Sequence, residues 1–294
     1  MRSIWAVFSL ALLTYSTASG VFSTTSEDLE ITQTSEFRIT YYALCYSPTT
    51  VSGANSQFTG DEGFANVLRR TLPATKNWAS PVTLVVPKDD VICSHVAKAY
   101  DHITTFTVGK NISQDESWVN TMQSLQELFM TETQSLMFVY FELDMIILPG
   151  AGRVVESIFR NHSFDVAYTY RGKSEYGSVN SGLILYRRTK NMFKWLRAVS
   201  QKTAQIIRDR REGGTKAGAQ NQLAIDALGA ENVAYGELYR DSSTSAEILS
   251  MPRTWLNGNA DCCSYGQALV LHFNAETKVK ILGNCCEVLL SKIV

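Results

Sequence analysis

The chain has 294 residues, of which 27 are basic and 28 acidic, so its formal net charge is only −1. Hydrophobic residues make up 45% of it, whereas a dominant disordered state requires low hydrophobicity and high net charge. Because there is no basic excess to neutralise phosphates, the chain is not expected to bind a nucleic acid polymer. We expect a compact, near-neutral enzymatic domain that is long enough to bury most of its apolar surface.

The N-terminus predicts entry into the secretory pathway. One basic residue precedes the apolar run Ile4–Leu13, and small residues follow it, which is the pattern of a signal peptide over residues 1–19. The alternatives are a short buried helix or a retained anchor, but a bilayer span takes about 20 apolar residues and polar residues interrupt this run early. Residues 20–35 are predicted to be a flexible lead-in and residues 36–294 one domain. We expect the mature protein in the Golgi lumen or secreted, without a stable membrane span. Two glycan acceptor sequons agree with this compartment; they begin at Asn111 and Asn161.

Strand-like and helix-like segments alternate along the chain. Runs of β-branched and aromatic residues between prolines or polar residues predict strands, and apolar residues at three- and four-residue steps predict helices. The predicted strands are Phe37–Cys45, Pro81–Pro87, Ile103–Val108 and Leu136–Leu148, and the predicted helices are Phe64–Leu72 and Ser117–Thr131. This alternation predicts an α/β fold, a single Rossmann-like domain with a mainly parallel central sheet flanked by helices.

The six cysteines form an even set, as expected in an oxidising compartment. Four of them are the vicinal pairs Cys262-Cys263 and Cys285-Cys286, so bridges between the two pairs are natural and would leave Cys45 with Cys93. Sequence alone does not choose among the possible connectivities. The alternative is a metal site made from the vicinal pairs with His272, although zinc sites usually separate their cysteines by two to four residues.

Two acids interrupt an otherwise apolar segment. Glu142 and Asp144 lie within Met137–Leu148, where every other residue is apolar or aromatic. A buried carboxylate without compensation costs several kcal/mol, so its presence here needs a reason. Acids at positions i and i+2 can point to one side of an extended or turning chain and bind a hard divalent cation. The alternative is that the acids end the strand or pair with arginines elsewhere.

A second polar feature follows an apolar strand near the end of the chain. The segment Leu269–Lys278 places His272 after the strand and a lysine six residues later. An imidazole can join two carboxylates on Mn²⁺, and the ammonium group of Lys278 can neutralise a departing diphosphate. In open α/β sheets such groups gather at the carboxyl ends of strands. Taken alone, a histidine such as His272 is more often a hydrogen-bonded structural residue than a ligand. Its combination with Lys278 and the acidic pair favours the ligand.

These features together resemble a known family. The sequence is similar to GT-A-fold glycosyltransferases of the retaining, nucleotide-diphospho-sugar type, the broad group that includes glycogenin-like enzymes. Glu142-Leu143-Asp144 resembles the family's Asp-x-Asp metal motif, and His272–Lys278 resembles its His-x-x-Gly-x-x-Lys motif, with Ala275 in place of glycine. Four further segments resemble the first strand with its nucleotide loop, the Asn-x-Gly strand, the Asp-Gln-x-x-Leu-Asn element and the Pro-x-x-aromatic-Asn stretch; they are Leu44–Ala54, Val179–Leu185, Asn221–Asp226 and Pro252–Asn257.

The resemblance implies transfer of a sugar from a nucleotide diphosphate donor, UDP-linked, to a hydroxyl group of a glycan or glycoprotein, with Mn²⁺ or Mg²⁺ as cofactor and retention of configuration. Asp144 and His272 would bind the metal, Glu142 would lie near the ribose or the metal, and Lys278 would hold the diphosphate. The resemblance also implies a sugar pocket that would contain Asn180, Ser181 and Gly182. Gln222 and Asn221 would lie near the reacting face of the sugar. Tyr46 and Ser47 would lie in the loop that binds the nucleotide base.

Three departures from the family pattern support a second hypothesis. Glu142 replaces the first aspartate of the metal motif, Asn221 replaces an aspartate near the reaction, and no basic residue occurs between Lys110 and Arg153, where relatives carry one. The donor contact of that basic residue would then be missing or come from elsewhere. The second hypothesis is therefore a secreted pseudoenzyme that binds nucleotide-sugars or glycans without turnover.

Overall fold

The structure is a computed structural model. It describes residues 37–46, 60–108, 125, 128–129, 135–170, 179–213, 230–240, 245–251, 256, 258–259, 262–263, 266–273 and 278–294. Within these ranges, the side chains of residues 60–61, 210–211, 213, 230–232, 240, 258–259 and 278–279 are not described. The predicted signal peptide and lead-in lie outside the described residues, as does the sequon at Asn111.

Seven strands form the central sheet, in the order β3-β2-β1-β4-β7-β6-β8. Their bounds are β1 Ile39–Leu44, β2 Val82–Pro87, β3 Ile103–Val108, β4 Met137–Phe141, β6 Val166–Tyr170, β7 Val179–Arg187 and β8 Ile248–Met251. Strands β3, β2, β1 and β4 pair in parallel, as do β6 and β8, whereas β7 runs antiparallel to both of its neighbours. The predicted α/β fold with a mainly parallel sheet is therefore confirmed.

Helices cover both faces of this sheet. The α-helices are α1 Gly60–Thr71, α2 Val91–Ala97, α3 Ala151–Asn161, α4 Lys190–Gly213, α5 Ala230–Arg240 and α6 Asn284–Ile293, and two 3-10 helices span Leu72–Trp78 and Lys278–Leu282. On one face the sheet packs against apolar residues of α1 and α3, and on the other against Trp195 of α4 and Tyr235 of α5. Strand β4 is buried at all five positions, because a strand between two helical layers has no solvent face.

The sequence predicted the positions of the first strands and of the first helix to within a few residues. The strands predicted at Phe37–Cys45, Pro81–Pro87 and Ile103–Val108 are β1, β2 and β3, and the helix predicted at Phe64–Leu72 lies in α1 but for its last residue. Of the predicted helix Ser117–Thr131, only three residues are described; they are helical and buried.

A second, small sheet begins where the two acids interrupt the predicted strand. The chain leaves the central sheet after Phe141, and Met145–Ile147 forms β5, the edge of a three-stranded sheet in the order β5-β10-β9. Strand β10, Val270–His272, pairs antiparallel with β5, and β9, Gly258–Asn259, pairs in parallel with β10. The segment predicted as one interrupted strand is thus two strands in two sheets.

Three disulfides connect all six cysteines. Cys45, at the end of β1, is bonded to Cys93 of α2. The two vicinal pairs are cross-bridged, with bonds from Cys262 to Cys286 and from Cys263 to Cys285. The predicted pairing is therefore observed. A metal site made from the vicinal cysteines and His272 is not, because those thiols are all consumed in disulfides.

Within the part of the chain that the structure describes, no helix combines the length and the apolarity needed to cross a bilayer.

The disulfides are expected to contribute unequally to stability. Replacing Cys45 and Cys93 together with alanine should lower the free energy of unfolding by about 2–4 kcal/mol, because that bridge closes a separation of 48 residues in the unfolded chain. Replacing Cys263 and Cys285 together should cost less, since the Cys262–Cys286 bridge, with a separation of 24 residues, still closes nearly the same loop. Denaturant unfolding without reductant measures both losses, and equal losses would contradict this expectation.

Candidate metal centre

Two carboxylates and one imidazole meet between the central sheet and the small sheet. Glu142, Asp144 and His272 each offer one ligand atom, and these atoms lie within 4.8 Å of one another. The Nε2 atom of His272 is 2.9 Å from Oε2 of Glu142 and 3.5 Å from Oδ1 of Asp144. The side chains of His272 and Asp144 are only 4% and 7% exposed, whereas that of Glu142 is 25% exposed. The group of three residues therefore opens to solvent on the Glu142 side.

The order of the strands explains why this site lies where it does. Strands β1 and β4 are parallel neighbours; β2 and β3 extend the sheet on the β1 side, and β7, β6 and β8 extend it on the β4 side. Such a reversal of strand order leaves a crevice at the carboxyl ends of the strands, which is where open α/β sheets bind ligands. Glu142 and Asp144 follow the carboxyl end of β4 directly.

Backbone hydrogen bonds connect Glu142 to the central sheet and Asp144 to the small sheet. The N–H of Glu142 donates to the carbonyl of Gly182 on β7, at 2.9 Å, and the carbonyl of Asp144 accepts from the N–H of Phe273, also at 2.9 Å. His272 lies opposite Met145 in the β5–β10 ladder. One acid is thus anchored to the central sheet and the other to the strand that carries the histidine.

The Asn-x-Gly segment on β7 contacts the imidazole of His272. Asn180 Nδ2 lies 3.2 Å from Nδ1 of His272. A Cβ atom added to Gly182 would fall 2.5 Å from Cε1 of the same ring and 2.7 Å from the methyl group of Met145. Glycine is therefore required at this position because the imidazole occupies the space of a side chain.

The other predicted site residues are only partly described. Ser181 is buried on β7 beside Asn180, and Tyr46 is half-buried just past the end of β1. Lys278 begins a 3-10 helix, but its side chain is outside what the structure describes. The remaining three predicted site residues lie outside the described residues; they are Ser47, Asn221 and Gln222.

The electrostatics of the site favour a positive charge. Burial is the largest single influence on His272 and opposes its protonation, but the charges and hydrogen bonds of Asp144 and Glu142 together outweigh it. They raise the pKa of His272 from 6.5 to about 9. The same two carboxylates would attract a divalent cation.

The three side chains fit a divalent metal ion. Carboxylate oxygens suit Mg²⁺ and Mn²⁺, and an imidazole nitrogen beside them favours a transition ion such as Mn²⁺ over Mg²⁺. Their ligand atoms already converge, and the more exposed Glu142 marks the side from which an ion could enter.

Sequence reasoning missed two features of this site. Asn180 contacts His272, although the family resemblance assigned it to the sugar pocket. The ring of His272 and the methyl group of Met145 both lie against Gly182, in the space that a side chain would need. The Asn-x-Gly spacing from Asn180 to Gly182 could not predict a contact with His272, because the histidine lies far away in the sequence.

The raised pKa of His272 predicts how the stability of the metal-free protein depends on pH. The folded pKa of about 9 lies above the reference value of 6.5, so the contribution is complete below about pH 6.5 and is lost as pH rises through 9. The loss should be on the order of 3 kcal/mol, since one pKa unit corresponds to about 1.4 kcal/mol. Melting temperatures in EDTA across this range should fall, and His272→Gln should flatten the profile. An unchanged slope in that variant would contradict the assignment.

Gly182→Ala should displace the ring of His272. The clash is expected to cost about 1–3 kcal/mol of stability and to weaken Mn²⁺ binding by the folded protein at least tenfold.

Gly152→Ala is the matched control, because its Cβ would fall 2.3 Å from the backbone carbonyl oxygen of Trp78, away from the three ligand residues. It should lower the melting temperature without changing Mn²⁺ affinity, measured by calorimetric titration. Equal effects of both variants on Mn²⁺ would show that Gly182 has no special role at the metal site.

No family model matches the sequence, and no curated protein matches it. Several solved structures do resemble it. They include a glycosyltransferase involved in the glycosylation of the major capsid of PBCV-1, with 10% identity, 85% of this chain and 98% of that chain covered, and a TM-score of 0.48. They also include the galactosyltransferase LgtC in complex with donor and acceptor sugar analogues, with 9% identity, 87% and 96% covered, and a TM-score of 0.43.

A third is the glycosyltransferase GlyE of Streptococcus pneumoniae, with 13% identity and a TM-score of 0.46; 82% of this chain matches 55% of that one. Structural similarity at such low sequence identity does not establish an activity for this chain. An activity must therefore be argued from the side chains of the candidate site. All three of these structures are glycosyltransferases.

Proposed function

We propose that this chain is a metal-dependent glycosyltransferase that moves a sugar from a nucleotide diphosphate donor, UDP-linked, to a hydroxyl group of a glycan or glycoprotein. The observation that carries the proposal is the convergence of Glu142, Asp144 and His272 at the carboxyl end of β4, beside the reversal of strand order. A nucleotide-sugar needs both a crevice at such a strand end and a cation for its diphosphate.

The chain's own residues would share the work at this site. Asp144 and His272, both buried, would hold the ion, and Glu142, on the open side, would contact the ion or the ribose. The bound Mn²⁺ or Mg²⁺ would supply positive charge against the departing diphosphate. Lys278, at the start of a 3-10 helix, would add a second positive charge, and Asn221 and Gln222 are proposed near the reacting face by resemblance to the family.

The proposed mechanism is retaining, on the strength of the family resemblance. An inverting enzyme needs a general base placed to activate the acceptor hydroxyl. The acids at the site, Glu142 and Asp144, are both committed to the cluster with His272. They are therefore better placed to bind a cation than to take a proton from an acceptor.

We place the protein in the secretory pathway, in the Golgi lumen or outside the cell. Three disulfides are consistent with an oxidising compartment. The sequon Asn161-His162-Ser163 is exposed at all three positions, at the end of α3, so a glycan could be attached without disturbing the core.

A donor screen tests the function. The purified full chain, with Mn²⁺, should release UDP from at least one UDP-sugar, and EDTA should abolish the release. Asp144→Asn and His272→Ala should each lower the rate by about 10²–10³, the usual cost of removing one preorganised electrostatic partner.

Glu156→Gln is the matched control for loss of a carboxylate, since Glu156 is paired with Arg160 on the surface of α3. It should leave the rate unchanged. Donor binding without UDP release would favour the pseudoenzyme hypothesis, which the replaced acids motivate. An absence of any metal-dependent donor binding would contradict both functions.

A further inference from the structure

A row of four tyrosines runs between β6 and α5 and ends at the surface. Tyr235 of α5 packs against Tyr168 of β6, with ring centroids 5.9 Å apart, and one turn later Tyr239 packs against Tyr168 and Tyr170, at 6.1 and 5.8 Å. Residues four apart lie on one face of a helix, so α5 presents both of its tyrosines to β6. Tyr168 and Tyr235 are fully buried, whereas Tyr239 is 43% exposed and Tyr170 is half-buried.

The exposed end of this row lies at the edge of the sheet that carries the candidate metal centre. Both β4 and β6 run antiparallel to β7, so their carboxyl ends are at the same edge. Tyr170 is the last residue of β6 and lies opposite Val179, the first residue of β7. The next residue, Asn180, contacts His272. The two exposed tyrosines and the candidate metal centre are therefore neighbours along one edge of the sheet.

The rings of Tyr170 and Tyr239 suit a sugar. They are inclined to each other by only 35°, so together they form one shallow aromatic surface, and Tyr168 supports Tyr239 from the side at 69°. A tyrosine offers an apolar ring and a polar hydroxyl. A pyranose offers the matching groups, a face of C–H bonds and hydroxyls around its rim. Because tyrosine is uncharged at neutral pH, the surface favours a neutral ligand over an ionic one.

The hydroxyl of Tyr168 favours a polar occupant over an apolar one. It is buried and has no hydrogen-bond partner among the residues that the structure describes. Burial raises the pKa of Tyr168 well above its usual range, so the hydroxyl stays protonated and can donate. A buried hydroxyl without a partner costs about 1–3 kcal/mol. A ligand with hydroxyl groups can satisfy it, directly or through a water molecule, whereas an apolar ligand cannot.

We propose that Tyr239 and Tyr170 form a binding subsite for one sugar unit of the acceptor glycan. This inference rests on the proposed function, because it names where the acceptor of that reaction binds. A sugar on the two tyrosines lies at the edge of the sheet where the cation would hold the donor diphosphate. A further sugar of the same glycan can then reach the donor. Tyr239 and Tyr170 bind the acceptor and take no part in the chemical step.

Sugar binding without metal or donor is the first test. Saturation-transfer NMR of the full chain in EDTA uses the methyl glycosides of glucose, galactose, mannose and N-acetylglucosamine as probes. At least one of them should receive saturation, concentrated on the C–H protons of one face of its ring, because that face lies on the aromatic surface. If none of the four binds, the inference is overturned.

Substitutions of Tyr239 locate the bound sugar. Tyr239→Leu keeps an apolar side chain but lacks the ring and should weaken binding about fivefold, whereas Tyr239→Phe keeps the ring and should stay within about twofold of the wild type. Tyr100→Leu is the matched control, because Tyr100 precedes β3 at the opposite edge of the sheet; it should leave sugar binding unchanged. Melting temperatures check that each variant is folded. Equal losses in Tyr239→Leu and Tyr100→Leu would overturn the inference.

Two other occupants of this surface are distinguished by the same variants. Binding of acetylated peptides without sugar, dependent on Tyr239 where no glycoside binds, would show a site for polypeptide and overturn the inference. Self-association of the chain that is lost in Tyr239→Leu, measured by sedimentation, would show that a second copy covers the surface and would overturn it too.

Steady-state kinetics separate this inference from the proposed function. With an active donor and acceptor, Tyr239→Leu should raise the KM for the acceptor about fivefold and leave the KM for the donor unchanged. Release of UDP that depends on Asp144, together with an unchanged acceptor KM in Tyr239→Leu, would overturn the subsite alone. Sugar binding that depends on Tyr239, without UDP release from any donor, would support the subsite and contradict the transferase.

Discussion

The antiparallel pairing of β5 with β10 is the contact on which the candidate site depends. It joins a strand from the middle of the chain to one near its end, and His272 lies opposite Met145 in the ladder. Without this pairing Glu142 and Asp144 would still follow β4, but no imidazole would lie between them. The backbone N–H of Phe273 donates a hydrogen bond to the carbonyl of Asp144, so the ladder continues as far as Asp144. A ladder of three residue pairs therefore sets the spacing of all three ligand groups.

Such a short ladder needs support from its surroundings. Apolar residues of the small sheet pack with residues of α1 and α6 in a core of their own, separate from the two cores of the central sheet. The two C-terminal disulfides tie α6 to the segment that follows β9. Arg70 of α1 donates to the carbonyl of Ile281 and pairs with Glu287 of α6. The acids follow a strand of the central sheet, whereas the histidine lies in the small sheet, which packs against α1 and α6.

The sequence predicted what depends on local pattern. Continuous apolar runs predicted β1 and β2, because both strands are buried on two faces. The β-branched and aromatic residues of β3 predicted a strand although its middle is largely exposed, and apolar residues at helical spacing predicted α1. The acids at 142 and 144 stood out for the same reason, since carboxylates do not persist in a buried strand without compensation. The sequence could not show that the interrupted segment divides between two sheets, or that Asn180 reaches His272. Both depend on which distant segments meet, and one sequence records no such contacts.

The paired disulfides near the C-terminus also bear on the order in which the molecule is assembled during synthesis. Domains generally begin to fold from the N-terminal side as the chain emerges, and β1 to β4 can pair as soon as residue 141 is available. The layer that carries His272 cannot be locked until Cys285 and Cys286 have emerged and been oxidised. A folding intermediate with a complete parallel half-sheet would therefore expose Glu142 and Asp144 without their histidine. The group of Glu142, Asp144 and His272 would be complete only once this C-terminal layer has formed.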